Sequence, residues 1–405
     1  MKFGILRERK SPPDKRVVFS PAMLAEFKKQ FPQAMFKIES SDVRIFSDDL
    51  YKDLGFEVGE DLTDCDVLLG VKEVPVDALI AGKKYFFFSH TIKKQPHNKK
   101  MLQAIIDKDI TLYDHETVID AQGRRLIGFG RYAGLVGTYN AFRAFGIKYE
   151  LHNLPKAEIL PDKDALVARL KKLIFPPLKI VLTGKGKVGL GAKEMLDAIR
   201  IKEVSPADFL AKSYSGPVYT HLDVLDYNKR IDGTATTNKL EFYNNPQEFV
   251  SDFEKYANVA DMYIAGHFYG NNAPDILTRE MLRKNNCRIK VVADISCDVD
   301  GPIASTIRSS SIANPLYGYN PSTGQEVDIY HPLAVVVMAV DNLPCELPRD
   351  ASEGFGKMFL DHVVPAFFND DKDEILKRAA IASNGRLSPR FNYLNDYVKE
   401  NVPHL

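Results

Sequence analysis

Three short apolar runs in the first third of the chain end in residues that can move protons. Val67-Leu-Leu-Gly-Val71 leads into Lys72-Glu73, Tyr85-Phe-Phe-Phe88 into Ser89-His90, and Thr111-Leu-Tyr113 into Asp114-His115-Glu116. A lysine in a partly desolvated cleft has its pKa driven down toward neutrality, which suits acid–base work. Histidine titrates in that range already, and neighbouring carboxylates such as Glu73 and Glu116 would tune both groups. Each residue alone is ordinary, since a lysine after a strand is usually solvated and a histidine after three phenylalanines often only edges a core. Their recurrence at three successive strand ends gives them weight. Arg16, in the loop before Val17-Val-Phe-Ser-Pro21, and Arg125, after Gly123-Arg124, add two guanidinium forks. Such forks bind carboxylates bidentately and suit an amino-acid or keto-acid substrate, with surface salt bridging as the plainer alternative.

A second constellation lies further along. Leu178-Lys-Ile-Val-Leu-Thr183 reads as a buried strand, Gly184-Lys-Gly186-Lys-Val-Gly189 follows at once, and Ala192 to Arg200 has helical periodicity. In a GxGxxG turn the first glycine allows the tight bend and the second lets the backbone approach a pyrophosphate. The third lets helix and strand pack closely. The phosphates then meet the free N–H groups of the new helix. A lone GxGxxG is weak evidence, but a strand before it and a helix after it point to a nicotinamide dinucleotide. The next strand, Pro217 to Leu222, ends in Asp223, which suits the ribose hydroxyls of NAD and would repel a 2′-phosphate. Lys185, Lys187, Lys229 and Arg230 are counterweights, so NAD is preferred and NADP stays open.

These groups need strands and helices to hold them. Phe3 to Leu6, Met35 to Ile38, Val67 to Val71, Tyr85 to Phe88 and Ile110 to Tyr113 read as strands. Pro21 to Lys29, Ser47 to Leu54 and Asn98 to Lys108 read as helices between them. The alternation predicts a parallel sheet with helices on both faces. A helix from about Tyr132 to Phe145 contains Gly134 and Gly137, either for ordinary close packing or as a link at a domain boundary. A second α/β unit runs from Leu178 to about Asp341, with strands at Lys179 to Thr183, Pro217 to Leu222, Met262 to Ala265, Ile289 to Ile295 and Ala334 to Val340. The polar segment Asp226 to Gln247 reads as an irregular excursion. Helices are expected over Ala351 to Phe368 and Lys372 to Ile381, a tail too short to stand alone. The expected class is therefore α/β with two doubly wound domains. A Rossmann dinucleotide-binding domain (141–341) is inserted in a discontinuous flavodoxin-like or Rossmann-like substrate domain (1–140 and 342–405).

Composition narrows the classes. Among 405 residues, 54 basic side chains balance 54 acidic ones, which gives no electrostatic reason to expect nucleic acid or an anionic membrane. No apolar run reaches the roughly 18 residues of a membrane span. The first residues, Met1-Lys-Phe-Gly-Ile-Leu-Arg-Glu8, lack the apolar core of a signal peptide, so the expected location is cytoplasmic. The four cysteines lack CxxC spacing and read as reduced thiols rather than a disulfide or zinc framework, so no metal is expected. An oligomer is compatible with the sequence.

Together these segments resemble the alanine dehydrogenase/transhydrogenase superfamily, and within it the lysine-forming saccharopine dehydrogenases and the lysine–ketoglutarate reductase half of bifunctional lysine-degrading enzymes. The likeness is carried by Lys15-Arg-Val-Val-Phe-Ser-Pro21, Gly70-Val-Lys-Glu-Val-Pro75, Phe86-Phe-Phe-Ser-His-Thr-Ile-Lys-Lys-Gln95 and Gly128-Phe-Gly-Arg-Tyr-Ala-Gly134. Asp294-Ile-Ser-Cys-Asp298 and the stretch from Asp341-Asn-Leu-Pro to Ser352-Glu353 complete it. The resemblance implies Lys72 and His90 as the acid–base pair, adjusted by Glu73 and Glu116. It also implies Arg16 and Arg125 on substrate carboxylates, with Phe129 lining the pocket. For the cofactor it implies Arg124, Lys187, Val188 and the stretch Val340, Asp341, Asn342 and Leu343, with Asp223 on the ribose. Asp298 matches an aspartate that serves the catalytic site in the alanine dehydrogenase branch. The reductase halves tend to lack an acid at the Asp223 position and to prefer the phosphorylated cofactor, whereas the monofunctional enzymes that keep it use NAD.

The reaction so implied is reversible: lysine condenses with 2-oxoglutarate, and a nicotinamide hydride reduces the imine to saccharopine. An alanine dehydrogenase-like reductive aminase of a small keto acid and a non-catalytic nucleotide-binding sensor are the rival readings. A sensor would not need both Lys72 and His90.

Overall fold

A computed structural model describes residues 1–270 and 272–399. They divide into two compact units, one made of residues 1–129 and 348–399 and the other of residues 130–347.

In the first unit, six strands run parallel: β1 (Lys2–Ile5), β2 (Met35–Glu39), β3 (Glu57–Gly59), β4 (Val67–Leu69), β5 (Lys84–Phe87) and β6 (Thr111–Asp114). Their order across the sheet is β6-β5-β4-β1-β2-β3. Side chains alternate between faces, and here both faces are covered. Phe3, Ile5, Leu69 and Phe86 point into one core with Phe27, Phe355 and Phe359 from helices Pro21–Gln30 and Pro348–His362. Leu68, Tyr85, Phe87 and Leu112 point into the other with Leu102 and Ile105 from helix Lys99–Asp107. This is the doubly wound arrangement that alternating strands and helices predict.

The C-terminal tail departs from the expected second helix over Lys372 to Ile381. Helix Ile375–Ala379 is short, and the chain then forms strand Ala380–Ser383, antiparallel to β6, and strand Arg386–Leu387 beside it. The physical reason is the exposed edge of β6, which needs a partner. Asn384 and Gly385, both at positive φ, make the reversal that supplies one.

The second unit holds β7 (Lys179–Thr183), β8 (Lys202–Glu203), β9 (Val218–Leu222), β10 (Asn228–Arg230), β11 (Phe249–Ser251), β12 (Met262–Ala265), β13 (Val291–Asp294), β14 (Leu316–Asn320), β15 (Gln325–Val327) and β16 (Val335–Met338). A parallel sheet runs β8-β9-β7-β12-β13-β16, and β14 and β15 extend it in antiparallel fashion. The segment from Asp226 to Gln247 is not wholly irregular: β10 pairs with β11, and helix Lys239–Asn244 follows.

The seams fall at 129/130 and 347/348 rather than at 140/141 and 341/342. Helix Gly130–Lys148 belongs to the second unit because it lies flat on helix Lys187–Ala198. A Cβ on Gly134 would sit 2.1 Å from Val188 O, and one on Gly191 would sit 2.1 Å from Arg131 O. Near the other seam, Asn140 Nδ2 donates to buried Glu346 at 3.0 Å. The four cysteines form no disulfide.

Candidate active site

Strand order reverses between β1 and β4 in the first unit and between β7 and β12 in the second, and ligand crevices open at the carboxyl ends of such strands. In the first unit β4 runs out through Gly70 and delivers Lys72 and Glu73, β5 delivers Ser89 and His90, and β6 delivers Asp114, His115 and Glu116. The register of the parallel ladder, with Leu69 opposite Phe86 and Phe86 opposite Tyr113, brings these ends level.

His90 Nδ1 lies 2.5 Å from Glu73 Oε1, with both side chains largely covered. Burial acts to raise the Glu73 carboxyl, but the bond to His90 and a backbone N–H hold it below the ordinary glutamate value. His90 itself adopts a left-handed backbone (φ 53), an uncommon conformation for a residue with a Cβ. Its neighbours hold it there. Asp114 accepts the Ser89 N–H at 2.9 Å and a short bond from the Ser89 hydroxyl, and accepts the Glu116 N–H at 2.6 Å. Burial raises the Asp114 carboxyl despite those donors.

Lys72 is partly buried, and its pKa is lowered, first by desolvation and then by the positive charges of Arg16 and Lys10. Its Nζ makes no hydrogen bond among the described residues. The loop carrying it is fixed by Glu8, which follows β1 and accepts the Val71 N–H at 2.7 Å and the Lys72 N–H at 2.8 Å. Burial, with help from Asp14, pushes the Glu8 carboxyl up to about 8. Arg16 is buried, its Nε and Nη2 edge gripped by Asp14 at 3.0 and 2.7 Å, and its guanidinium lies 4.3 Å over the Phe129 ring. Phe129 in turn stacks on Phe355 at 4.4 Å.

Lys72, Glu73, His90, Arg16 and Phe129 thus gather around the ends of β4 and β5. Arg125 and Glu116 pair with each other at 3.0 Å, with Lys93 3.7 Å from the same carboxylate, and no described contact ties Glu116 to Glu73 or His90. Arg124 is exposed and bound to Asp120 at 2.7 Å. His115 is fully buried among Phe86, Phe355 and Phe359, its Nε2–H donates to Gly70 O at 2.8 Å, and desolvation lowers it to about 3, so it stays neutral. Glu8 and Asp14 belong to no motif of the sequence. The signal for Glu8 was its place just after β1, beside the reversal in strand order.

In the second unit the glycine turn leaves β7 as its pattern requires. Gly184 has φ +98, and a Cβ there would sit 2.3 Å from Gly266 O; one on Gly189 would sit 1.7 Å from Gly184 O. Only glycine fits at either place. At Gly186 a Cβ would meet nothing within 4 Å, so the backbone there faces open space. Gly186 caps helix Lys187–Ala198 without any side-chain hydrogen bond, which suits an anion at the helix start. The cradle therefore fits a dinucleotide pyrophosphate.

Asp223 follows β9, one strand from the turn. Its Oδ1 accepts the Val224 N–H at 2.8 Å and its Oδ2 holds Lys239 in a short ion pair. Of the counterweights expected from sequence, Lys229 is bound to Asp252 at 3.0 Å and Arg230 to Asp232 and Glu248, each at 3.1 Å. Lys185 donates to His221 O at 2.6 Å. Lys239 lies 16 residues from Asp223 in a polar segment that carries no motif, so only the fold brings the two together. Val340 and Leu343, in the segment that follows β16, are buried, while Asp341 and Asp298 are exposed.

Two doubly wound units, one bearing an acid–base cluster and the other a glycine cradle, define a class of dinucleotide-binding folds. The chain belongs to the alanine dehydrogenase/PNT family: the N-terminal-domain model matches residues 4–136 and the C-terminal-domain model residues 175–388. Alpha-aminoadipic semialdehyde synthase of Arabidopsis thaliana is 27% identical over 445 residues, covering 98% of this chain and 42% of that protein. Saccharopine dehydrogenase [NAD(+), L-lysine-forming] of Yarrowia lipolytica is 24% identical over 342 residues, covering 80% of this chain and 81% of that protein. The chain thus spans less than half of the synthase it matches. A solved L-alanine dehydrogenase shares the fold with a TM-score of 0.65 at 17% identity, covering 98% of this chain and 100% of that one. No described helix is long and apolar enough to cross a membrane.

Proposed function

We propose that this chain is a nicotinamide-dependent oxidoreductase of the saccharopine dehydrogenase type, reversibly condensing L-lysine with 2-oxoglutarate and reducing the imine to saccharopine. The observation that carries the reading is the cluster of Lys72 and the Glu73–His90 pair at the ends of two adjacent parallel strands, with buried Arg16 alongside. An imine-forming reduction needs two proton-transfer groups and anchors for carboxylates. The names of the relatives favour these substrates.

In the reductive direction the substrate amine attacks the keto carbon, and the nitrogen loses a proton as the carbinolamine forms. His90, held by Glu73, gives a proton to the carbinolamine oxygen, which leaves as water. The glycine turn Gly184 to Gly189 would hold the nicotinamide dinucleotide, which would supply the hydride that reduces the imine. Lys72 exchanges the proton on the nitrogen: it is the base for the secondary amine when saccharopine is oxidised. Desolvation and the nearby cations make its neutral form available at lower pH than for a solvated lysine. Arg16, its planar face on Phe129, and Arg125, paired with Glu116, are the carboxylate anchors. Arg124, Gly184, Gly186, Lys187, Val188, Gly189, Asp223 and the Val340 to Leu343 stretch are assigned to the dinucleotide, and Asp298 to the catalytic site.

The test is oxidation of NADH and of NADPH followed with 2-oxoglutarate plus lysine, then with pyruvate plus ammonia. Turnover is expected in the first mixture. Turnover only in the second would replace this reading with a reductive aminase of a small keto acid. Tight nucleotide binding with turnover in neither would favour a sensor.

A further inference from the structure

An acid at the end of the second strand of a dinucleotide fold ordinarily excludes a 2′-phosphate, because two like charges would meet at the ribose. Here that acid already has a cation on it. Lys239 Nζ sits on Asp223 Oδ2, while Asp223 Oδ1 is occupied by the Val224 N–H. Lys239 is half exposed and pairs with no carboxylate but Asp223 among the described residues, whereas Lys229 is held by Asp252 and Arg230 by Asp232 and Glu248. It comes from the first residue of helix Lys239–Asn244, in the extra segment between β9 and β11. The other charged groups facing Asp223 are Asp226, whose carboxylate accepts the Asp223 N–H at 2.6 Å, and Lys185, whose ammonium is within electrostatic reach while held on His221 O. The Tyr243 ring, 54% exposed, is the neighbouring neutral group.

From this arrangement we propose that Lys239 is a 2′-phosphate-binding residue, and that the site takes dinucleotides with an adenosine 2′-phosphate as well as those without one. The inference rests on the dinucleotide reading of the glycine turn. A lysine ammonium is a point charge on a flexible four-carbon stem, so it can leave the carboxylate for an incoming phosphate without moving the backbone. Asp223 keeps the Val224 N–H in either state. With the hydroxylated ribose, Lys239 stays near Asp223 while the hydroxyls donate to that carboxylate. The segment between β9 and β11 then has a role: it carries the counter-charge over the ribose end of the cradle.

The test is isothermal titration of the full chain with NADH and NADPH, repeated with AMP and adenosine 2′,5′-bisphosphate to isolate the phosphate. Removing the ammonium (Lys239→Ala) should lower the NADPH-to-NADH affinity ratio by about tenfold or more. Removing the acid's charge (Asp223→Asn) should raise the same ratio by about tenfold. The 2′,5′-bisphosphate should respond to Lys239→Ala more than AMP does. Equal changes for both dinucleotides, or a higher ratio in Lys239→Ala, would overturn the assignment and make Lys239 a plug on Asp223. Circular dichroism of each variant separates loss of fold from loss of contact. If the unmodified chain binds none of the four ligands, the dinucleotide reading itself fails.

Discussion

Gly134 poses a contest between two opposite effects of one methyl group. Replacing it with alanine in the middle of helix Gly130–Lys148 would by propensity alone stabilise the helix by up to about 1 kcal/mol. The new Cβ, however, would lie 2.1 Å from Val188 O and 2.5 Å from Ala192 N, both backbone atoms of helix Lys187–Ala198. Non-bonded carbon contacts relax at about 3.5 Å, so the helices must part by at least about 1 Å. Backbone cannot rotate out of the way as a side chain can, which places the overpacking cost in the upper part of the usual range of about 1–3 kcal/mol. The net expectation for Gly134→Ala is a loss of about 1–2 kcal/mol, or a Tm lower by about 3–6 °C for a unit of this size. Val188 is in the first turn of the helix proposed to receive the pyrophosphate. Its displacement should also cost a charge-assisted hydrogen bond and weaken NADH binding by about tenfold. Thermal unfolding and NADH fluorescence titration read the two effects. An alanine variant with an unchanged or higher Tm and the parent affinity would refute the close-contact reasoning and restore Gly134 to an ordinary helix position.

Other perturbations test the acid–base cluster and the second unit. Lys72→Met should keep nucleotide binding while kcat/KM falls about 10²–10⁴-fold in steady-state assays; full turnover would remove Lys72 from the mechanism. Because Lys72 is held below the ordinary lysine value, oxidation should speed up with pH earlier than a solvated lysine would allow, and Lys72→Arg should abolish that limb. Burial raises the Glu346 carboxyl from 4.5 to about 7. Its stabilising share is therefore full below about pH 4.5 and lost as pH rises through 7, on the order of 3 kcal/mol. Glu346→Gln should flatten that decline between pH 5 and 8 in urea unfolding; a parallel decline in both proteins would contradict the burial argument.

Local pattern made much of the machinery legible. Gly184, Gly186 and Gly189 could be read because each glycine answers a steric demand of one tight turn. Lys72 and His90 stood out because parallel strands, each followed by a helix, send their carboxyl ends to one edge. Partners distant in sequence were not legible. Glu8 lies more than 60 residues from the Val71 and Lys72 amides that it accepts, and only the pairing of β1 with β4 joins them. The helix expected over Lys372 to Ile381 stops at Ala379, and Ala380 and Ile381 join a strand instead, because a short apolar run has no period of its own and the open edge of β6 decides it. Asp223 shows the same division at a single residue. Its type and its place after β9 were in the sequence. That its charge is already answered by Lys239 depends on how the intervening segment folds back, which is a matter of tertiary packing and ion pairing that no local spacing encodes.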